Sequence, residues 1–260
     1  MTPRYLHWPT AAGGGAWTPA SLSSLRAWFD ADALTGLADG DAMSSWSDSS
    51  GNANNVSNTQ TTTKPTYETN ELNGKSVVRF YASSGFLGQS TIYAAATPSM
   101  QVIVVAKTNT ISGTTSILSA NNYTPNIRLS SNNVQAVLIY GGASQTGSQA
   151  GVTTGAWFIA SGMVDLGNSI GSAGLNGATP STVALTNSVA TIGPHSSVPL
   201  TVGTRYTETA LPFDGDIAEV VVITNDNTSQ SRQTVEGYLA HKWGLTSNLP
   251  GTHPYKSSAP

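Results

Sequence analysis

FDGDIAEVVVITNDNTSQSRQTVEGYLAHKW, residues 213–243, is the stretch that decides the fold. Its first half, Ile217-Ala218-Glu219-Val220-Val221-Val222-Ile223, is β-branched and almost continuously apolar, which suits a strand covered on both faces. Asn225-Asp226-Asn227-Thr228 is turn chemistry, and its side-chain oxygens can accept from the free N–H groups that open a helix. Val235, Tyr238, Leu239 and Trp243 then fall at i, i+3, i+4 and i+8, one apolar stripe at helical period. Gly244 supplies a left-handed stop, and Pro250 and Pro254 prevent resumption. The reading is a late strand clamped by one amphipathic helix.

Outward from that unit the chain reads as β. The pattern begins where Leu25, Ala27 and Phe29 alternate with Arg26, Trp28 and Asp30. Further strands are predicted over 76–81, 101–107, 115–119, 134–140 and 157–164, with short ones near 169–175, 190–192 and 201–206. Asn176-Gly177 is a two-residue hairpin signal. Many strands separated by turns, with one late helix, predict an all-β antiparallel sandwich. The 260 residues show no composition break and no repeat, so residues 21–260 form one domain. Residues 1–20 form an extended N-terminal arm, in which Tyr5, Trp8 and Trp17 flank a flexible Ala/Gly segment.

Composition narrows the function. Charged residues are 10% of the chain, net charge is −3 and no basic run occurs, which argues against nucleic acid and against a polybasic membrane patch. There is no cysteine, hence no disulfide framework and no thiolate metal site. The first residues lack the apolar core of a signal peptide, and no later run approaches the ~20 apolar residues of a membrane span. The expectation is synthesis in a host cytoplasm, with the polar, weakly charged surface explained by a virus particle as destination.

Several segments then point to a family. Leu25-Arg26-Ala27-Trp28-Phe29-Asp30-Ala31, Trp46 with Asp48-Ser49-Ser50-Gly51-Asn52, Lys64-Pro65-Thr66-Tyr67 and Asn73-Gly74-Lys75-Ser76-Val77-Val78-Arg79-Phe80 come in an order that resembles laminin-G-like, concanavalin A-like jelly-roll domains. The closing Gly215-Asp216-Ile217-Ala218-Glu219-Val220 and residues 235–244 resemble the same group, so the likeness spans about residues 22–255. The resemblance implies a jelly-roll sandwich of the kind found in phage structural and bacterial surface proteins. That scaffold hosts lectins, hydrolases and structural modules alike, so it specifies fold rather than function.

Candidate sites follow from residue types. Asp214-Gly215-Asp216-Ile217-Ala218-Glu219 resembles the Glu-x-Asp-x-x-Glu strand of certain concanavalin A-like glucanases, with Asp in place of the first Glu. A retaining pair needs its carboxyls ~5–5.5 Å apart. In a regular strand Asp216 and Glu219 face opposite ways, and only a bulge brings them together. The expectation is no catalytic residue and no enzyme. Glu219 is instead expected on a face with Ile217, Val221 and Ile223, half buried; it and Arg79 should pair with each other or each bond the backbone. Asp30, Asp32, Asp39, Asp41 and Asp48 offer hard oxygen ligands for Ca²⁺, but their spacing fits no EF-hand and they read as turn formers; no cofactor is expected, with Ca²⁺ as the alternative. His7, His195, His241 and His253 have no zinc spacing.

Two functions are compatible with this. The first is a non-enzymatic phage virion protein, a capsid decoration protein whose arm docks on other virion proteins, chiefly the major capsid protein, through Tyr5, Trp8 and Trp17, and which forms homo-oligomers. The alternative is a carbohydrate-binding adhesin of a phage tail or cell surface, using an exposed loop aromatic such as Tyr123, with Tyr140 and Tyr206 behind it.

Overall fold

The computed structural model describes residues 16–61, 63–81, 84–88, 97–120, 126–140, 143–186, 200–205 and 210–260. These build two antiparallel sheets packed face to face, the jelly-roll sandwich the sequence predicts. The nine-stranded sheet runs β15 (Ser181–Ala184), β14 (Ile170–Leu175), β13 (Trp157–Asp165), β8 (Ser99–Thr108), β17 (Gly215–Thr224), β6 (Lys75–Phe80), β5 (Thr66–Leu72) and β2 (Asp41–Ala42), with β1 (Leu25–Asp30) also on β17. The eight-stranded sheet runs β12 (Ala143–Ala150), β11 (Asn133–Tyr140), β10 (Asn126–Ser130), β9 (Thr114–Ala120), β16 (Leu200–Val202), β7 (Phe86–Gly88), β4 (Val56–Ser57) and β3 (Ser45–Trp46).

The late strand β17 is central. One edge pairs with β8 along its length; the other pairs with β6 over Gly215–Ile217 and with β1 over Glu219–Ile223. Both faces are covered, as its continuous apolar run requires. Ile217, Val220 and Val222 enter the core between the sheets, while Ala218, Val221 and Ile223 enter a second core on the outer side. The inter-sheet core is threaded by Phe29, Trp46, Phe86, Phe80 and Phe213, each meeting the next edge to face at centroid distances of 5.8–6.3 Å.

The second core is roofed by α1 (Ser229–Lys242). Thr228 caps it by accepting from the Ser231 N–H at 3.2 Å, worth about 1 kcal/mol, and Asp226 in turn accepts from Thr228 N at 3.0 Å. Val235, Leu239 and Trp243 are fully buried against Ile103, Val105, Ile159, Val221 and Ile223. Each contributes roughly 1.5–3 kcal/mol before entropy. Gly244 ends the helix at φ +68, and a Cβ there would collide with Asn73. Asn73 donates its side-chain amide to the Trp243 carbonyl, one of the orphan acceptors at the helix end.

Asn73-Gly74 forms the tight two-residue hairpin, both residues at positive φ, joining Leu72 directly to Lys75. Asn176-Gly177 also turns with both φ values positive, but the β14–β15 ladder begins only at Ala173–Ser181, so the connection is longer than two residues. The predicted strand at 190–192 and residue Tyr206 lie outside the described residues. Strands β5 and β12 carry the sequences TYETNEL and ASQTGSQA, with too little apolar alternation to be read as strands.

Candidate functional site

The DGDIAE strand contains the bulge that its catalytic reading requires. Along β8 the partners step from Ile217–Ala106 to Glu219–Val105, leaving Ala218 unpaired. Asp216 and Glu219 consequently share the outer face, and Ile217 points into the inter-sheet core away from Glu219, contrary to the regular-strand expectation. Gly215 makes the approach possible: at φ +153 its missing Cβ leaves room for the Lys107 carbonyl.

Both carboxylates are nevertheless committed to the fold. Asp216, 1% exposed, accepts from Arg79 Nε at 2.7 Å and meets Lys107 Nζ at 2.6 Å. Arg79 also pairs with Glu71 at 2.8 Å and Glu68 at 3.4 Å, and the Asp216 hydrogen bond, against the cost of burial, raises its pKa further. Glu219, completely buried beneath α1, accepts from Trp28 Nε1 at 2.6 Å, Trp243 Nε1 at 2.7 Å and Lys242 Nζ at 2.7 Å. Lys242 also holds Asp30 at 2.5 Å. Burial first, and then the charge of Asp30, push the Glu219 carboxyl up to about 7 although Lys242 and Trp243 oppose them. Arg79 and Glu219 thus each have ionic partners, but not one another and not the backbone, because Asp216 stands on the same face beside Arg79.

The acidic cluster disperses in the same way. Asp48 closes its turn by accepting from Trp28 N, Ser50 N and Asn54 N at 2.9 Å each. Asp32 pairs with Lys75 at 2.8 Å, Asp39 accepts from Thr69 N at 2.8 Å, and Asp41 from Ala38 N at 2.7 Å. Among the described residues no three of His, Asp and Glu converge in a way that could hold a metal ion. Nor is any described helix long and apolar enough to cross a membrane.

Of the residues expected to bind a partner or glycan, Tyr5, Trp8 and Tyr123 lie outside the described residues. Trp17 is placed: its ring meets Tyr238 of α1 edge to face at 5.6 Å, packing partly buried against the outer core.

The site missed by sequence reading lies at the end of β6. Tyr81 is 47% exposed, the most exposed large apolar side chain among the described residues. It forms a wall of an open cleft of about 390 Å³ together with Thr61, Thr63, Lys64, Thr66 and Ser84. Ser84 fixes the residue from the backbone side: its hydroxyl accepts from Tyr81 N at 2.8 Å, and its own N–H reaches Tyr81 O at 2.9 Å. The phenol oxygen lies 3.3 Å from Thr66 Oγ1, which donates to Glu68 at 2.5 Å. Lys64 Nζ donates to Ser44 Oγ at 2.7 Å across the cleft's rim. The result is an aromatic surface flanked by hydroxyls and one ammonium, suited to a ligand with an apolar face and a hydroxyl-rich edge. The only sequence signal was Tyr81 following Phe80 at a strand end; nothing local said that it would stay uncovered.

No family model and no curated protein matches the chain. Solved structures do. The carbohydrate-binding module CBM40 of the Ruminococcus gnavus IT-sialidase, bound to α2,3-sialyllactose, aligns over 53% of this chain and 80% of its own at 17% identity, TM-score 0.43. Domain 4 of AbnA, a GH43 extracellular arabinanase from Geobacillus stearothermophilus, in complex with arabinotriose, aligns over 77% and 92% at 15% identity, TM-score 0.49. A structure of botulinum neurotoxin type C, whose cell entry depends on two ganglioside molecules, aligns over 83% of this chain and 51% of its own at 13% identity, TM-score 0.50. This last likeness covers most of the chain and agrees with the fold described above, an antiparallel β-sandwich.

Proposed function

We propose that the protein is a non-catalytic carbohydrate-binding domain that holds a glycan in the Tyr81 cleft. The observation that carries the reading is the exposed Tyr81 ring, braced by Ser84 and surrounded by Thr63, Lys64 and Thr66. A sugar ring presents an apolar C–H face to an aromatic and its hydroxyls to the flanking polar groups, and this cleft supplies both. The sandwich shared with a toxin described as ganglioside-dependent supports the same reading, and favours it over virion decoration. The commitment of Asp216 and Glu219 to buried ion pairs supports a binding role over hydrolysis.

The test is a neutral-glycan array followed by titration calorimetry of the best binder. Tyr81→Ala should weaken binding at least tenfold, and Tyr81→Phe should retain most of it, since the stacking surface survives. Capture of no glycan, or binding indifferent to Tyr81→Ala, overturns the proposal. Co-purification with virus particles at fixed stoichiometry would redirect it to decoration.

A further inference from the structure

The ion pairs beneath α1 include one triad whose geometry suits a reaction. Lys242 Nζ lies 2.5 Å from Asp30 Oδ2 and 2.7 Å from Glu219 Oε2. Asp30 and Glu219 stand directly opposite one another in the β1–β17 ladder, and the last residue of α1 brings its amine down onto both. Glu219 is completely buried and the other two side chains largely so. The rings of Tyr238 and Trp243 flank the ammonium at 5.7 and 5.1 Å.

The two carboxylates are held differently. Glu219 is fixed by both indoles: Trp28 Nε1 donates to Oε1 at 2.6 Å and Trp243 Nε1 to Oε2 at 2.7 Å. Burial and then the charge of Asp30 lift its carboxyl to about 7, so near neutral pH it both takes and gives a proton. Asp30 offers Oδ2 to the lysine, while its Oδ1 accepts from Asp32 N at 3.1 Å. A second lysine comes almost as close to a buried carboxylate, Lys107 to Asp216 at 2.6 Å. There, however, Arg79 also holds Asp216, and the other carboxylate at that lysine, Glu71, is 3.8 Å away and partly exposed, so no buried acid stands ready.

We propose that Lys242 and Asp30 become joined by an intramolecular amide bond, formed within the folded chain with Glu219 as catalytic acid and base. Nζ attacks Asp30 Cγ; the C–N bond forms and the C–Oδ2 bond breaks. Glu219 carries two of the three ammonium protons to the departing oxygen, which leaves as water, and returns to its starting state. Three effects favour the step. Contact holds the amine against the carboxyl at high effective concentration. The covered site excludes most of the water that would reverse the reaction. A buried ion pair also becomes a neutral amide, which removes two desolvated charges. The product ties β1 to the end of α1, across 212 positions of chain, and so constrains the unfolded state. The bond is independent of what the Tyr81 cleft holds.

The experiment is mass spectrometry of the full chain, purified folded, kept at neutral pH and then denatured. The intact chain should be lighter than its sequence by one water. Trypsin should release residues 27–75 joined to residues 233–256, because an acylated Lys242 is no longer cut and Lys64 is followed by proline. Lys242→Arg and Asp30→Ala should each restore the full sequence mass, and Glu219→Gln should leave most chains unlinked. A wild-type chain that keeps its full mass after prolonged incubation overturns the proposal. So does a water loss that maps to Lys107 and Asp216, or to Asp39-Gly40 or Asp214-Gly215, where aspartate before glycine can close to a succinimide. A link from Lys242 to Glu219 overturns it too, as does linkage in Glu219→Gln as complete as in the wild type. Should a variant fail to fold, the wild-type mass and the joined peptide decide the matter, since neither needs a substitution.

Discussion

The two outer faces of the sandwich are finished in opposite ways. On the nine-stranded sheet, α1 covers Ile103, Val105, Ile159, Val221 and Ile223, and every buried charge there has a partner: Asp216 with Arg79 and Lys107, Glu219 with Lys242. On the outer side of the eight-stranded sheet, Ser116 and Asn126 are buried, and among the described residues Arg128 pairs with Gln135 and with no carboxylate. The first face is closed by the chain itself and serves stability. The second is held by neutral polar contacts, such as Arg128 with Gln135 and Ser119 with Asn126, rather than by ion pairs.

That contrast can be broken at the closed face. Trp243→Ala removes the largest side chain under the helix and one donor to Glu219; about 3–5 kcal/mol of stability should be lost. Chemical denaturation reads this directly, and a loss below about 1 kcal/mol would mean that α1 is not the clamp described here. Asp216→Ala strips the shared anion from Arg79 and Lys107, which keep only Glu68 and Glu71. Because both cations are partly solvated, the cost should fall near or below the ~3 kcal/mol lower bound for breaking a buried pair. A thermal midpoint unchanged by Asp216→Ala would show that the network is decorative.

The smallest effect is one of slope. Glu219 has its folded pKa raised from 4.5 to about 7 by burial and Asp30. The folded state therefore binds the proton more tightly than the unfolded chain. Its contribution is fully present below pH 4.5 and is lost as pH rises through about 7. Glu219→Gln should flatten the stability profile between those limits, whatever it does to absolute stability. A profile with the same slope in both proteins would assign the pH dependence elsewhere.

Legibility in the sequence followed range. The cap at Thr228, the stripe of Val235, Leu239 and Trp243 and the stop at Gly244 are set by residues within a few positions of one another, so local chemistry reveals them. The ionic partners of Arg79 could not be read, because Asp216 lies directly opposite it only in the register of β17 on β6, and that pairing joins residues 137 positions apart. Tyr81 was hidden for a related reason. A tyrosine after a strand looks the same in sequence whether a neighbouring segment covers it or not.

What the sequence by itself determined was the list of elements: an all-β chain, its principal apolar strands and one late helix with its two ends, since period, turn residues and caps are local properties. Only the tertiary structure decided which side chains share a face, which carboxylates are consumed and that Tyr81 stays uncovered. Those outcomes depend on register between strands as far apart as Trp28 and Val221, where a shift of one residue exchanges the two faces.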